Sequence, residues 1–211
     1  MSDMTEHEEL RVSNDAMDDV VELQRRIAEE GYLFFRRLQD PDKLRALRRE
    51  MMSAVQEAGW LIAGTDPIAG IANIDKQCTE GDRAYSDGYG RAYRLESFHR
   101  SAHWPEVMDM IEKIVGKPIM PHPQKVARIW FPQYTDHTTP THQDFVHFQG
   151  SFDTLTCWAP VGDCPVELGG LAVIPGSHKV DRVLDHHFSL GAGGLVVDET
   201  AHEEIDPVWH S

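Results

Sequence analysis

The stretch THQDFVHFQG, residues 141–150, sets an imidazole and a carboxylate two residues apart, His142 and Asp144. On an extended strand, positions i and i+2 project to one face. The two side chains can then converge on one ion, while Gln143 points away and His147 falls on the opposite face. An imidazole with a carboxylate suits a first-row divalent metal. Two His with one carboxylate would leave open positions for a chelating co-substrate and for dioxygen, the arrangement of non-haem Fe(II) oxygenases. The pair alone is a weak signal. With 12 His and 19 Asp in 211 residues, about one His-x-Asp is expected by chance, and one occurs. Its surroundings must decide, and spacing does not supply a third ligand.

The elements that must position the pair can be read from periodicity. Met17, Val20, Val21, Ile27 and Ala28 lie at helical spacing, which predicts a helix over residues 17–30 with Gly31 as its stop. The aromatic run YLFFRRL, residues 32–38, reads as a strand. Asp40 is placed to cap a second helix and Pro41 to occupy its first position. That helix runs on the stripe Leu44, Leu47, Met51, Val55, Ala58 and closes at Gly59. Residues 64–90 are rich in Gly, Pro and Asp and read as a loop with short pieces of structure, of the kind that borders a site. Pro105 opens and Gly116 stops a third helix. KVARIWF (125–131) alternates with a period of two, and TLTCWAPV (154–161) and LAVI (171–174) also read as strands. Helices first and strands later predict a helical layer wrapped on a β-sandwich or barrel, an α+β, mainly β chain. There is no internal repeat.

Composition narrows the function classes. The net charge of −15 repels phosphate backbones and acidic membrane surfaces, and no basic tract offsets it, so neither nucleic acid nor membrane is an expected partner. No apolar run reaches a membrane span, and the acidic start lacks the features of a secretory signal; the expected location is cytoplasmic. Cys78, Cys157 and Cys164 form no Cys-x-x-Cys pattern and read as free thiols. The acid-rich segment from Glu6 to Asp19 is expected to be solvated.

Residues 141–179, THQDFVHFQGSFDTLTCWAPVGDCPVELGGLAVIPGSHK, resemble the phytanoyl-CoA dioxygenase family of Fe(II)- and 2-oxoglutarate-dependent oxygenases. The His-x-Asp is followed by a Trp-bearing strand, an acidic turn, Gly-Gly, and a strand ending Pro-Gly-Ser-His-Lys, in the family's order. EEGYLFFRRLQDPDKLRALRREM, residues 29–51, resembles the family's opening helix, strand and helix. The resemblance implies a double-stranded β-helix (jelly roll) with His142 and Asp144 as Fe(II) ligands and 2-oxoglutarate and O2 as co-substrates. It implies Trp158 beside the bound co-substrate, with Arg128 and Arg94 as less exact matches to polar groups near it. A dicarboxylate in a site partly removed from water needs such a cation. An aspartate where halogenating relatives carry a small residue favours hydroxylation. The resemblance also implies that His178 is no ligand. His186 and His187 lie in a Gly-rich stretch read as a loop over the mouth.

The chain departs from the family after Lys179. The expected distal His ligand and the Arg that pairs with the far carboxylate of 2-oxoglutarate do not appear before Ser211. Arg182 comes too early, and His202 and His210 are the late candidates for the third ligand. The expectation is therefore an acidic flexible N-terminus over 1–16 and a single oxygenase domain over 17–211. Its helical layer would span about 17–116 and its jelly-roll strands about 119–211, with the final core strands missing. The leading function is hydroxylation of a small organic molecule with release of succinate and CO2. The alternatives are a non-oxidative, cupin-like metal enzyme and an inactive or partner-completed fragment.

Overall fold

The computed structural model describes residues 7–132, 139–189, 194–198, 201 and 209–210. Helix α1, Val20–Glu30, begins three residues later than periodicity predicts, because Asp19 caps it through Glu22 N and Asn14–Ala16 forms a separate tight turn. It ends at Gly31, whose φ of 84° lies in the left-handed region that a side chain disfavours. Helix α2, Pro41–Glu57, starts as expected: the Asp40 carboxylate accepts from Asp42 N at 2.8 Å and Pro41 takes the first position. Helix α5, Pro105–Val115, has the predicted bounds and closes at Gly116.

Two helices between α2 and α5 were not expected. Helix α3, Arg83–Tyr93, lies largely within the predicted loop, and α4, Glu96–Ser101, follows it. Gly88 and Gly90 make the α3 sequence read as broken. In the fold Gly88 is a contact surface instead: a Cβ there would stand 2.3 Å from Trp60 Cζ2. Tyr85, Tyr89 and Tyr93 repeat at four-residue spacing and stack at 5.6 Å centroid separations.

Three packed clusters tie the helices together. Leu23 of α1 is fully buried with Met110 and Ile114 of α5 and with Ala16, and Leu33, Phe35 and Leu38 pack against them. Leu47 and Met51 of α2 pack with Ala127, Phe98 and Trp104. One turn further on, Val55 joins Trp60, Tyr85, Ala92 and Phe131.

The predicted strands fare differently. Residues 32–38 form a single parallel bridge, Val12 to Phe34, rather than a strand. The Asn14 side chain takes up both N–H and C=O of Arg36 at 2.8 Å, and Arg37 turns the chain at φ 58°. Residues 125–131 keep the two-residue alternation, with Ala127 and Phe131 buried and Val126, Arg128 and Trp130 exposed. No ladder is assigned to them, and Ala127 N donates to the Tyr89 hydroxyl at 3.3 Å. Residues 154–161 and 171–174 are not strands, and 151–160 are exposed throughout. Among the described residues the sheets are two pairs. Strand β1, His7–Glu8, lies parallel to β4, Trp209–His210; β2, His186–Ser189, lies antiparallel to β3, Gly194–Val197. The jelly roll expected from the resemblance is thus not seen among these residues.

In the described part of the acidic segment before α1 the Glu and Asp residues are exposed, while Ser13 and Ala16 anchor the backbone. Ser13 is buried and its N–H donates to Phe34 O at 2.8 Å. Arg26, only 5% exposed, forks onto both Asp15 oxygens at 2.7 Å and donates from Nε to Glu22 at 2.7 Å. Hydrogen bonds from Arg25 and then from Arg26 hold the Glu22 carboxyl down to about 2. The Pro-Gly-Ser-His turn docks at the C-terminus of α1. Gly176 N donates to Glu30 O at 2.8 Å and His178 Nε2 meets Ala28 O at 3.1 Å, satisfying carbonyls that a helix end leaves open. Cys78, Cys157 and Cys164 are free thiols, as expected. No helix of the described residues is long and apolar enough to cross a membrane.

Candidate metal centre

His142 and Asp144 do converge, but not by the predicted route. Their segment is not a strand. Asp144 adopts helical backbone angles (φ −58°, ψ −29°) at the mouth of a single turn, α6, Phe145–Phe148. His142 Nε2 lies 3.3 Å from Asp144 Oδ1, with the side chains 25% and 38% exposed. The hydrogen bond between them is the largest cause of both shifts: it raises the proton affinity of His142 and lowers that of Asp144.

The second atom of each side chain is also engaged. His142 Nδ1 faces Pro140 O at 2.8 Å. A proton on Nδ1 satisfies that carbonyl and leaves the Nε2 lone pair directed at a carboxylate oxygen. Two electron-rich atoms at that distance repel unless something positive lies between them, a proton or a metal ion. Thr156 Oγ1 donates to Asp144 Oδ2, so Oδ1 is the oxygen left for His142. Ligand bonds of about 2.1 Å at a right angle separate two donor atoms by about 3 Å, close to the observed gap. The donor types, the orienting carbonyl and the spacing therefore fit two ligands of a divalent metal.

His147 is not on the opposite face. The helical turn replaces the two-residue strand period with one in which i and i+3 are neighbours. Its ring meets that of His142 edge-on at 5.4 Å. Burial is the main reason that its proton affinity is lowered, with His142 adding to the effect. Among the described residues, no three His, Cys, Asp or Glu side chains form a metal-holding group. His202 and the side chain of His210 lie outside the described residues.

The other candidates are distributed as follows. Arg128 pairs with Glu80 at 3.5 Å, and its charge reaches His142, disfavouring the protonated imidazole. Arg94 is exposed at the end of α3, its guanidinium folded back toward Gly90. Trp158 is 43% exposed. Among the described contacts, neither Arg94 nor Trp158 is joined to the pair. His178 is occupied at the end of α1, away from ligand duty. His187 Nδ1 bonds Asp198 Oδ1 at 2.6 Å, whereas His186 on the other face of β2 accepts from Gln143 N at 3.1 Å. Sequence reasoning passed over Thr156. The available signal was a small hydroxyl residue two places before the Trp of TLTCW.

A family model described as phytanoyl-CoA dioxygenase matches residues 27–191. A 1-deoxypentalenic acid 11-beta-hydroxylase of Streptomyces arenae is 24% identical over 184 residues, covering 82% of this chain and 60% of that protein. The protein of the same name from Streptomyces exfoliatus is 25% identical over 169 residues, covering 77% and 56%. The chain thus spans about 60% of the length of these curated relatives.

Proposed function

The chain belongs to the phytanoyl-CoA dioxygenase family, and from that premise we propose that it serves an Fe(II)- and 2-oxoglutarate-dependent hydroxylation of a small organic molecule. Residues 17–211 are read as one oxygenase domain, of the jelly-roll class that the family implies. His142 through Nε2 and Asp144 through Oδ1 would hold the iron. Bound iron, with 2-oxoglutarate and O2, supplies the oxidising chemistry for C–H hydroxylation, releasing succinate and CO2.

The chain's own residues do the positioning. The Pro140 carbonyl holds the His142 tautomer, and Thr156 holds one carboxylate oxygen so that the other faces the metal. Trp158 would wall the co-substrate. Arg128 and Arg94 would supply positive charge for its carboxylates, Arg128 after exchanging Glu80 for the ligand. The observation that carries the reading is the 3.3 Å approach of Nε2 and Oδ1 with both outer atoms already hydrogen-bonded. The two relatives named as hydroxylases support oxidation over the cupin-like alternative.

The test is an anaerobic titration of Fe(II) and 2-oxoglutarate, followed through the weak visible band of the chelate and then by succinate release under oxygen. Wild-type chain should bind metal, and Asp144→Asn should lose at least ~10-fold in affinity, as expected when a charged ligand is removed. Equal binding by the two proteins would sink the assignment.

A further inference from the structure

The residues that flank His142 and Asp144 are tied to the segment around β2 and β3. Thr141 O accepts from Val197 N at 2.9 Å. Gln143 uses its amide twice: Nε2 donates to Arg182 O at 3.2 Å, and Oε1 accepts from Leu184 N at 2.7 Å. The backbone N–H of Gln143 donates to His186 Nε2 at 3.1 Å. Neither ligand itself takes part in these bonds, so their side chains stay free to face an ion while the chain on each side is held.

His186 is the pivot. Its Nδ1 lies 2.7 Å from Leu184 O, which places the ring proton on Nδ1 and leaves Nε2 bare to accept the Gln143 N–H. Both nitrogens are used, which leaves none for a metal. The ring stands on a firm base, because Leu184 and Val197 are buried with Ala201. Strand pairing also separates the two histidines of β2, since His187 bonds Asp198 instead. The 139–144 segment has no ladder of its own among the described residues. Among the described contacts, these lateral bonds restrain it together with the Thr156 bond to Asp144.

We propose that His186 is a positioning residue for the metal centre, setting ligand geometry from 43 positions further along the chain. The proposal rests on reading His142 and Asp144 as ligands. Loss of a partner bonded directly to a ligand typically lowers metal affinity by about 10- to 100-fold, and His186, which bonds the backbone between the two ligands, acts at the lower end of that range.

The experiment uses Co(II) alone as the probe, titrated into metal-free wild type, His186→Leu, His186→Gln and His178→Ala, with amide hydrogen exchange over residues 139–149 of each metal-free protein. His186→Leu should weaken Co(II) binding by about 10-fold and speed exchange over that peptide. His186→Gln, whose amide oxygen can stand near the Nε2 position, should recover most of both. His178→Ala removes a comparable bond at the end of α1 and should lower the Tm without moving Co(II) affinity. The proposal is overturned if His186→Leu binds Co(II) as wild type does, or if His178→Ala weakens binding equally. A wild type that takes up no Co(II) overturns the metal reading instead. The exchange comparison still shows, in that case, whether His186 restrains the segment.

Discussion

Gly88 and Gly90 sit two residues apart in α3, and the same substitution at each should have opposite signs. Replacing a helical Gly by Ala removes backbone freedom from the unfolded chain and favours the helix by about 1 kcal/mol. At Gly90 the new Cβ meets Arg94 Nη2 at 3.2 Å, the far end of a flexible side chain that can swing aside. Gly90→Ala should therefore stabilise by roughly 0.5–1 kcal/mol. At Gly88 the new Cβ would stand 2.3 Å from Trp60 Cζ2 and 2.4 Å from Cε2. Carbon contacts settle near 3.5–4 Å, so the ring or the helix must move by more than 1 Å. Trp60 has little room to do so. It is 3% exposed and lies between Tyr85, stacked at 5.6 Å, and Phe131 at 5.5 Å. Overpacking of this kind costs about 1–3 kcal/mol, or more at such short range, which exceeds the helical gain. Gly88→Ala should destabilise by about 1–2 kcal/mol net. Urea unfolding of the two variants beside wild type, followed by Trp fluorescence and far-UV circular dichroism, measures both effects. Stabilisation by Gly88→Ala as large as that by Gly90→Ala would refute the packing argument.

Two other expectations follow from the site and the N-terminal network. Thr156→Val keeps shape but removes the donor to Asp144 Oδ2; Co(II) affinity should fall about 10-fold, with the Tm nearly unchanged, as read by titration and calorimetry. Glu22 is held down to about 2 from an ordinary 4.5 by hydrogen bonds from Arg25 and then Arg26. A carboxyl depressed on folding stabilises fully above its unfolded value and loses that contribution as pH falls through the folded one. The urea midpoint of wild type should therefore drop between about pH 4.5 and 2, and Glu22→Gln should show a shallower drop in that window. Parallel curves for the two proteins would remove Glu22 from the acid response.

Some of this protein was legible in its sequence because the governing interactions are local. Asp40 with Pro41, and Pro105 with Gly116, start or stop helices through groups within a turn of themselves, and α2 and α5 fall where those residues put them. The alternation over 125–131 is likewise a property of an extended backbone, and burial follows it. The family was readable in the ordered motifs of residues 141–179. Other features depend on partners remote in sequence. Gly88 reads as a helix breaker until Trp60 is seen against it, and Ser13 reads as solvated until Phe34 accepts its N–H. The His-x-Asp spacing identified two ligand types, but a helical turn brought His147 beside them where a strand would have turned it away. Gln143 and His186 meet through hydrogen bonds that no local pattern encodes. Period and capping are written within a few residues, whereas the face a side chain presents depends on which distant segment satisfies its backbone.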